Sequence, residues 1–456
     1  MLARTMFVVS AMLLAFLYGL ATVQFQIFPY EVFRQAKNGM EAFFGLEANL
    51  QFSSMKRFDA ALPPEPTVHT LPAETGTEAI LITGGFYQYM DKCPNFGCLA
   101  WLVDRQGNVL HTWEIDPDEI IAGAEGFAGE VSAFSVYPIG MKLQADGSLI
   151  VTFQGRNIHP YQFGIAKVSM QGEVLWRKQD HAHHWLDIDS DGVIYAPSAK
   201  AVPSPEFNSR GLPGHACTGT ETVHYEGVRA YNQDGSVVRD IWLTDAYLKS
   251  DWPGLLYATD PCDPFHINSV QVTTPEVAAV LPNVEPGDLL TSARSNGAIT
   301  IMSGETGEIR YTVTGRHVAQ HSPQYLPDGT VAIFDNLGAK PDGLSRITRL
   351  NMLTSESETL FPRSDKGPGY EFRSRNGGQL AVSPDGTRIL VASLHESRLF
   401  EFDVATGDLV WQYDHCMDAS KFLEKFDLEH DSGATRACYR TYGGYYVTDL
   451  SFLNNR

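Results

Sequence analysis

Six segments of this chain repeat one pattern of strand, turn and strand: LVDRQGNVLHTW, KVSMQGEVLWRK, AYNQDGSVVRDIW, IMSGETGEIRYTV, RLNMLTSESETLF and EFDVATGDLVWQY. A second hairpin pattern with an earlier turn glycine alternates with it in MKLQADGSLIVTF, WLDIDSDGVIYAP, VEPGDLLTSAR, YLPDGTVAIFDN and LAVSPDGTRILVAS. Short β-branched and aromatic runs divided by Asp-Gly turns are a strand signal. Two hairpins make a four-stranded unit, and units recurring over roughly 40 to 70 residues mark propeller blades. The expectation is an all-β, six-bladed β-propeller. The second hairpin lacks one copy, because the first unit opens directly at EAILITGGF; the C-terminal YYVTDLSFL is expected to supply the missing innermost strand and close the ring, leaving no sheet edge bare. A pair of β-sandwiches is the alternative, and it leaves the alternation unexplained.

Ahead of the repeats, Met6 to Phe28 carries no charge, and its roughly 23 residues match the length that spans a bilayer. The run exceeds a signal-peptide core, and Leu20-Ala21-Thr22-Val23 is a poor cleavage site, so an uncleaved anchor is favoured over a signal peptide. Arg4 before the span and Arg34 and Lys37 after it leave orientation open. Val32, Ala36, Met40, Phe43 and Phe44 fall at helical spacing, a short stalk, and DAALPPEPTVHTLPAETGT reads as an extended linker. The expected organisation is residues 1–30 as membrane anchor, 31–77 as helical stalk and Pro-rich linker, and 78–456 as the propeller, with the folded domain starting near Glu78.

Six cysteines fall into three local pairs, Cys93 with Cys98, Cys217 with Cys262 and Cys416 with Cys438, and none forms a metal-type CxxC. Behind an export segment they favour disulfides in an oxidising space, a periplasm or the cell exterior, over buried free thiols. With 34 Lys and Arg against 54 Asp and Glu, and no basic cluster in the sequence, a nucleic-acid partner is excluded. No nucleotide-binding glycine loop, dinucleotide fingerprint or G-x-S-x-G occurs, so no cofactor is expected. Asp187, Asp189, Asp191 and Gly192 resemble the start of an EF-hand loop, but Ser198 stands where the bidentate Glu belongs; a blade turn is favoured and no metal site is expected.

The first strand of each blade lines the propeller's central channel. His184 and His321 each precede a turn glycine, Gly192 and Gly329, by eight residues, which predicts equal heights beside the axis. His266 opens a third such strand in FHINSV. Imidazole serves as nucleophile or proton carrier because both its protonation states are accessible near neutral pH. Asn268, Gln320, Gln324 and Asn336 lie in the same strand and turn runs and are candidate substrate hydrogen-bonding groups, or ordinary strand-end caps.

The strings HHWLDIDSDGVIYAP, DPFHINSVQ with the later LLTSARSNGAITI, and QHSPQYLPDGTVAIFDN resemble the bacterial arylsulfotransferase family over roughly Ala79 to Tyr413. The resemblance implies a periplasmic six-bladed propeller that moves a sulfuryl group from an aryl sulfate ester to a phenol through a sulfurylated histidine, without the soluble nucleotide donor. It matches His266 and His321 to the family's axial histidines and Arg294 to an arginine after the H-x-N-S strand. The family's nucleophilic histidine comes from a late blade, where this chain has Gly378, eight residues before Gly386. Either His395 or His321 takes that role, or the fold serves a changed reaction. The family's usual N-terminal β-domain is replaced here by the anchor and stalk. The expected partners are a small aromatic sulfate ester, a phenol and the membrane; a noncatalytic binding propeller and an aryl sulfate hydrolase are the alternatives.

Overall fold

The computed structural model describes residues 2–25, 28, 50–71, 76–209, 217, 222–257, 262–338, 343–367 and 369–455, which form two compact units, Met1–Ser53 and Ser54–Arg456. The stalk helix expected within 31–49 lies outside the described residues. In the first unit, a helix runs from Leu2 to Phe25, and its Arg4–Thr22 stretch is long and apolar enough to cross a membrane, a test that a signal sequence also passes.

The second unit is mostly β. Among the described residues, six antiparallel sheets follow one another along the chain, all but the first built of one hairpin of each kind. Sheet one holds Ala79–Thr83, Cys98–Val103 and Val109–Glu114; sheet two Val136–Leu143, Leu149–Gly155, Gln162–Val168 and Val174–Lys178; sheet three Asp187–Ile188, Ile194–Pro203, Thr222–Tyr231 and Val237–Trp242. Sheet four holds Ile267–Val272, Leu289–Ala293, Ala298–Met302 and Ile309–Val313; sheet five His321–Tyr325, Val331–Asp335, Arg346–Leu350 and Ser357–Phe361; sheet six Gln379–Val382, Arg388–Ser393, Arg398–Asp403 and Leu409–Asp414. The missing strand of sheet one is C-terminal: Gly444–Val447 pairs antiparallel with Ala79–Thr83.

Local chemistry explains the turns. In Asp146-Gly147-Ser148, Asp234-Gly235-Ser236, Asp328-Gly329-Thr330 and Asp385-Gly386-Thr387, the glycine takes a left-handed backbone. The aspartate accepts both the main-chain N–H and the hydroxyl of the residue after that glycine. Middle strands such as Cys98–Val103 and Leu289–Ala293 are buried throughout, whereas the outer strand Val174–Lys178 has no buried residue and Ser357–Phe361 buries only its last two. The core lies between successive sheets. Leu81, Leu102, Val151 and Phe153 join sheets one and two, Tyr225, Val228, Ile267 and Leu289 join three and four, and Phe334, Ile347, Leu380 and Phe400 join five and six.

The folded unit starts upstream of Glu78. Thr67–Thr70, inside the stretch read as a linker, pairs with the outer edge of sheet six, and Met55–Phe58 pairs with Arg436–Tyr439 in a small three-stranded sheet completed by Cys416–Asp418. Strands of four residues, half of them exposed, carry little hydrophobic alternation, so only their partners reveal them. All three cysteine pairs are disulfides as expected, and Cys416–Cys438 staples the small sheet.

Candidate active site

His184, His266 and His321 share one cavity, of about 340 Å³, at one end of the innermost strands. Each precedes or begins the first strand of its sheet. His184 and His266 adopt left-handed backbones (φ 55° and 48°), a conformation that non-glycine residues rarely take and that packing must hold. Their rings stand 5.4 Å apart edge to face, and Trp185 places its ring 5.8 Å from His321. Arg294 and His395 also line the cavity, so the four residues expected in catalysis meet there with His395, expected either beside the substrate or in the nucleophile's place.

The strand and turn candidates Asn268, Gln320, Gln324 and Asn336 do not line it. Asn268 donates its amide to the carbonyl of Gln320, and Gln320 donates to the carbonyl of Ala293 and the hydroxyl of Ser292, so both tie sheet four to sheet five. Gln324 donates to the carbonyl of Pro323 and lies outside this cavity. Asn336 sits behind His321. Its amide NH2 donates to the carbonyls of Ser374 (2.6 Å) and Gly377 (2.7 Å), which turns Oδ1 toward His321 Nδ1 at 2.7 Å. An acceptor in that place fixes the proton on Nδ1 and leaves the lone pair on Nε2. Burial lowers the His321 pKa to about 3, with the Asn336 bond opposing and the Arg294 charge reinforcing the shift, so the ring is neutral at physiological pH.

Sequence reasoning missed half of the wall. Arg156 and Arg440 join Arg294 as cavity cations, and Tyr137, Tyr161, Tyr442, Ile139 and Leu394 supply aromatic and apolar surface. The Arg156 guanidinium stacks 4.8 Å from the Tyr137 ring and donates to the Tyr442 hydroxyl at 2.9 Å. Among the described residues no carboxylate lines this cavity, although the protein as a whole carries a formal charge of −20. Burial, reinforced by the charges of Lys56, Arg440 and Arg156, lowers the His395 pKa to about 4. Nδ1 of His395 pairs with the Ser374 hydroxyl at 3.1 Å. A signal existed: Arg156, Arg294 and Asn336 each directly follow the second strand of their sheet, and His395 follows its own by two residues.

Gly378 has a steric reason. Its φ is 143°, and a Cβ there would lie 2.5 Å from the ring of buried Phe334. A histidine cannot stand at this position without moving the core. In the acidic turn after His184, Asp189 accepts the N–H groups of Asp191 and Val193, and Asp187 accepts from Val272 and pairs with Lys142, the roles of a blade turn.

Residues 246–415, which include His266, Arg294, His321 and His395, match the family model described as Arylsulfotransferase (ASST) and bear out the resemblance. No curated protein matches the chain. Among solved structures, a protein of unknown function from Bacteroides caccae aligns at 10% identity over 82% of this chain and 100% of its own, with a TM-score of 0.46. The Swd1 β-propeller domain of Myceliophteria thermophila aligns at 10% identity over 79% and 88%, TM-score 0.39. Virginiamycin B lyase of Staphylococcus aureus aligns at 12% identity over 60% and 83%, TM-score 0.31.

Proposed function

On the premise that residues 246–415 carry the arylsulfotransferase family's domain, we propose that the protein transfers a sulfuryl group from an aryl sulfate ester to a phenol through a sulfo-histidine at His321. The observation that carries this reading is the composition of the cavity: three arginines, imidazoles and tyrosine rings, with no carboxylate among the described residues that line it, suit an aromatic anion. Nε2 of His321 attacks sulfur, the S–O bond to the aryl oxygen breaks, and the aryloxide departs. Positive charge then develops on the ring, and the Asn336 Oδ1 already in place accepts a stronger bond from Nδ1–H. Arg294 and His266 hold the sulfate oxygens. In the second half the phenol oxygen attacks sulfur, the N–S bond breaks, and neutral His395 takes the phenol's proton.

The architecture proposed around this site is a closed six-bladed propeller. A ring of side-chain bonds between neighbouring sheets supports it: Tyr445 to Met141, Thr152 to His184, Asp187 to Val272, Gln271 to Tyr325, Ser322 to Leu380 and Gln379 to Gly444. The apolar N-terminal helix and three disulfides support a membrane-anchored protein with an extracytoplasmic propeller over residues 78–456, onto which Met55–Phe58 and Thr67–Thr70 pair. Gly378 favours a second reading, in which the same cavity binds an aryl sulfate without turning it over. Brief reaction with 4-nitrophenyl sulfate, an alkaline stop and peptide mass spectrometry separate the two. An SO3 adduct on His321 supports transfer, whereas bound ester with unmodified histidines supports binding alone.

A further inference from the structure

Behind the cavity wall, three segments bring a second set of ionisable side chains together. His224 and Glu226 alternate on one face of the strand Thr222–Tyr231, and Asp263 precedes sheet four next to the disulfide of Cys262. One ligating atom from each of the three lies within 4.8 Å of the other two. His183 joins them, its Nε2 3.9 Å from Glu226 Oε1, and His224 Nδ1 is 3.9 Å from Asp263 Oδ1.

Two features of this cluster are costly without a ligand. Glu226 is 0% exposed, and among the described residues the only charge partners of Glu226 and Asp263 are histidines. Buried carboxylates lacking a cation are strongly disfavoured. His183, also 0% exposed, has an Nε2 without a hydrogen bond, and so has Asp263 Oδ1. The other nitrogen of the His183 ring is engaged by His184 Nδ1 at 2.5 Å, so Nε2 is the one left for the cluster.

We propose that His183, His224, Glu226 and Asp263 form a buried binding site for a divalent transition metal of the zinc class. Two imidazoles and two carboxylates are a donor set that zinc accepts in four-coordinate sites. Bonds of about 2.0–2.1 Å imply ligand separations of about 3.4 Å, so the pairs now 3.9 Å apart close by about half an ångström on binding. An outer partner is present: Ile267 N–H donates to Glu226 Oε2 at 3.0 Å, and a metal on His224 Nδ1 replaces the bond that this nitrogen accepts from Gln162 Nε2 at 3.0 Å. The site also steadies the neighbouring cavity, because His183 contacts His184 and Asp263 Oδ2 accepts from His266 Nδ1 at 2.5 Å.

The test is metal binding by the full chain, which does not depend on sulfuryl transfer. The protein is stripped with chelator, dialysed against Zn²⁺ and assayed by elemental analysis and thermal melting. The expected result is one tightly held zinc per chain and a raised Tm, with affinity at least ~10-fold weaker in Glu226→Gln and in His183→Ala. If either variant fails to fold, the Co²⁺ spectrum of the parent decides, strong d–d bands of a four-coordinate site being expected. A parent that retains no metal, zinc that persists unchanged in both folded variants, or the weak spectrum of hydrated cobalt overturns the proposal.

Discussion

Asn336 holds His321 by an oxygen that has no freedom to turn away: its NH2 is spent on two carbonyls, of Ser374 and Gly377, and its Oδ1 faces Nδ1 at 2.7 Å. Replacing Asn336 with Ala removes the tautomer lock and leaves the Ser374 and Gly377 carbonyls with only the Ser345 and Ser374 hydroxyls as donors. The expected cost is about 1–3 kcal/mol in stability and, through a misaligned nucleophile, about 10²-fold in turnover. Thermal melting and steady-state kinetics on the same preparation check both.

The cavity was legible wherever strand and turn geometry speak in the sequence. Equal spacing from His184 to Gly192 and from His321 to Gly329 put both rings at one height, and both line the cavity. Arg440 and Tyr442 were invisible because they reach it only through the closing strand Gly444–Val447, a pairing between chain ends that no local period encodes. Asn268 and Gln320 were legible as polar but not as structural, since the carbonyls they bond belong to neighbouring segments. His183, His224, Glu226 and Asp263 carry no motif spacing, and the fold alone gathers them.

Gly378 is a packing requirement as much as a lost histidine. Gly378→Ala is expected to lower stability by about 1–3 kcal/mol, from the strained backbone and from overpacking against Phe334. Gly378→His is expected to be worse and to restore no activity. Urea titration of each variant with the 4-nitrophenyl sulfate assay alongside tests this.

Where chain ends meet, charge is buried. Glu401 of sheet six, 0% exposed, pairs with Arg105 from sheet one and with Arg388 at 2.9 Å, accepts from Tyr446 of the closing strand at 2.5 Å, and Arg388 also pairs with Glu78 at 2.7 Å. Glu401→Gln leaves buried guanidinium charge uncompensated and should cost about 3–5 kcal/mol. Glu358→Gln, which breaks the more exposed pair with Arg349, should cost less than about 1 kcal/mol. Equal effects in denaturant unfolding would contradict the clasp.

Acid should destabilise the fold through its buried histidines. Burial lowers the pKa of His321 to about 3, His415 to about 3 and His317 to about 4. In the unfolded chain each returns to about 6.5. As pH falls through 6.5 the unfolded state takes up protons that the folded state refuses, so stability is full above that value and declines toward the folded values. Each histidine contributes up to about 1.4 kcal/mol per pH unit in that window. Tm should hold steady above pH 7 and fall between about 6.5 and 4; His415→Gln, beside Thr441, should flatten the slope. A Tm independent of pH over that window contradicts the neutral buried imidazoles.

The central claim is transfer at the histidine cavity, and the most direct measurement is 4-nitrophenol release from 4-nitrophenyl sulfate at varied phenol concentrations, in the parent, His321→Ala and His266→Ala. Release that requires phenol, gives parallel double-reciprocal lines and disappears in His321→Ala is the predicted result. No release by folded parent protein, or full release in His321→Ala, would contradict it.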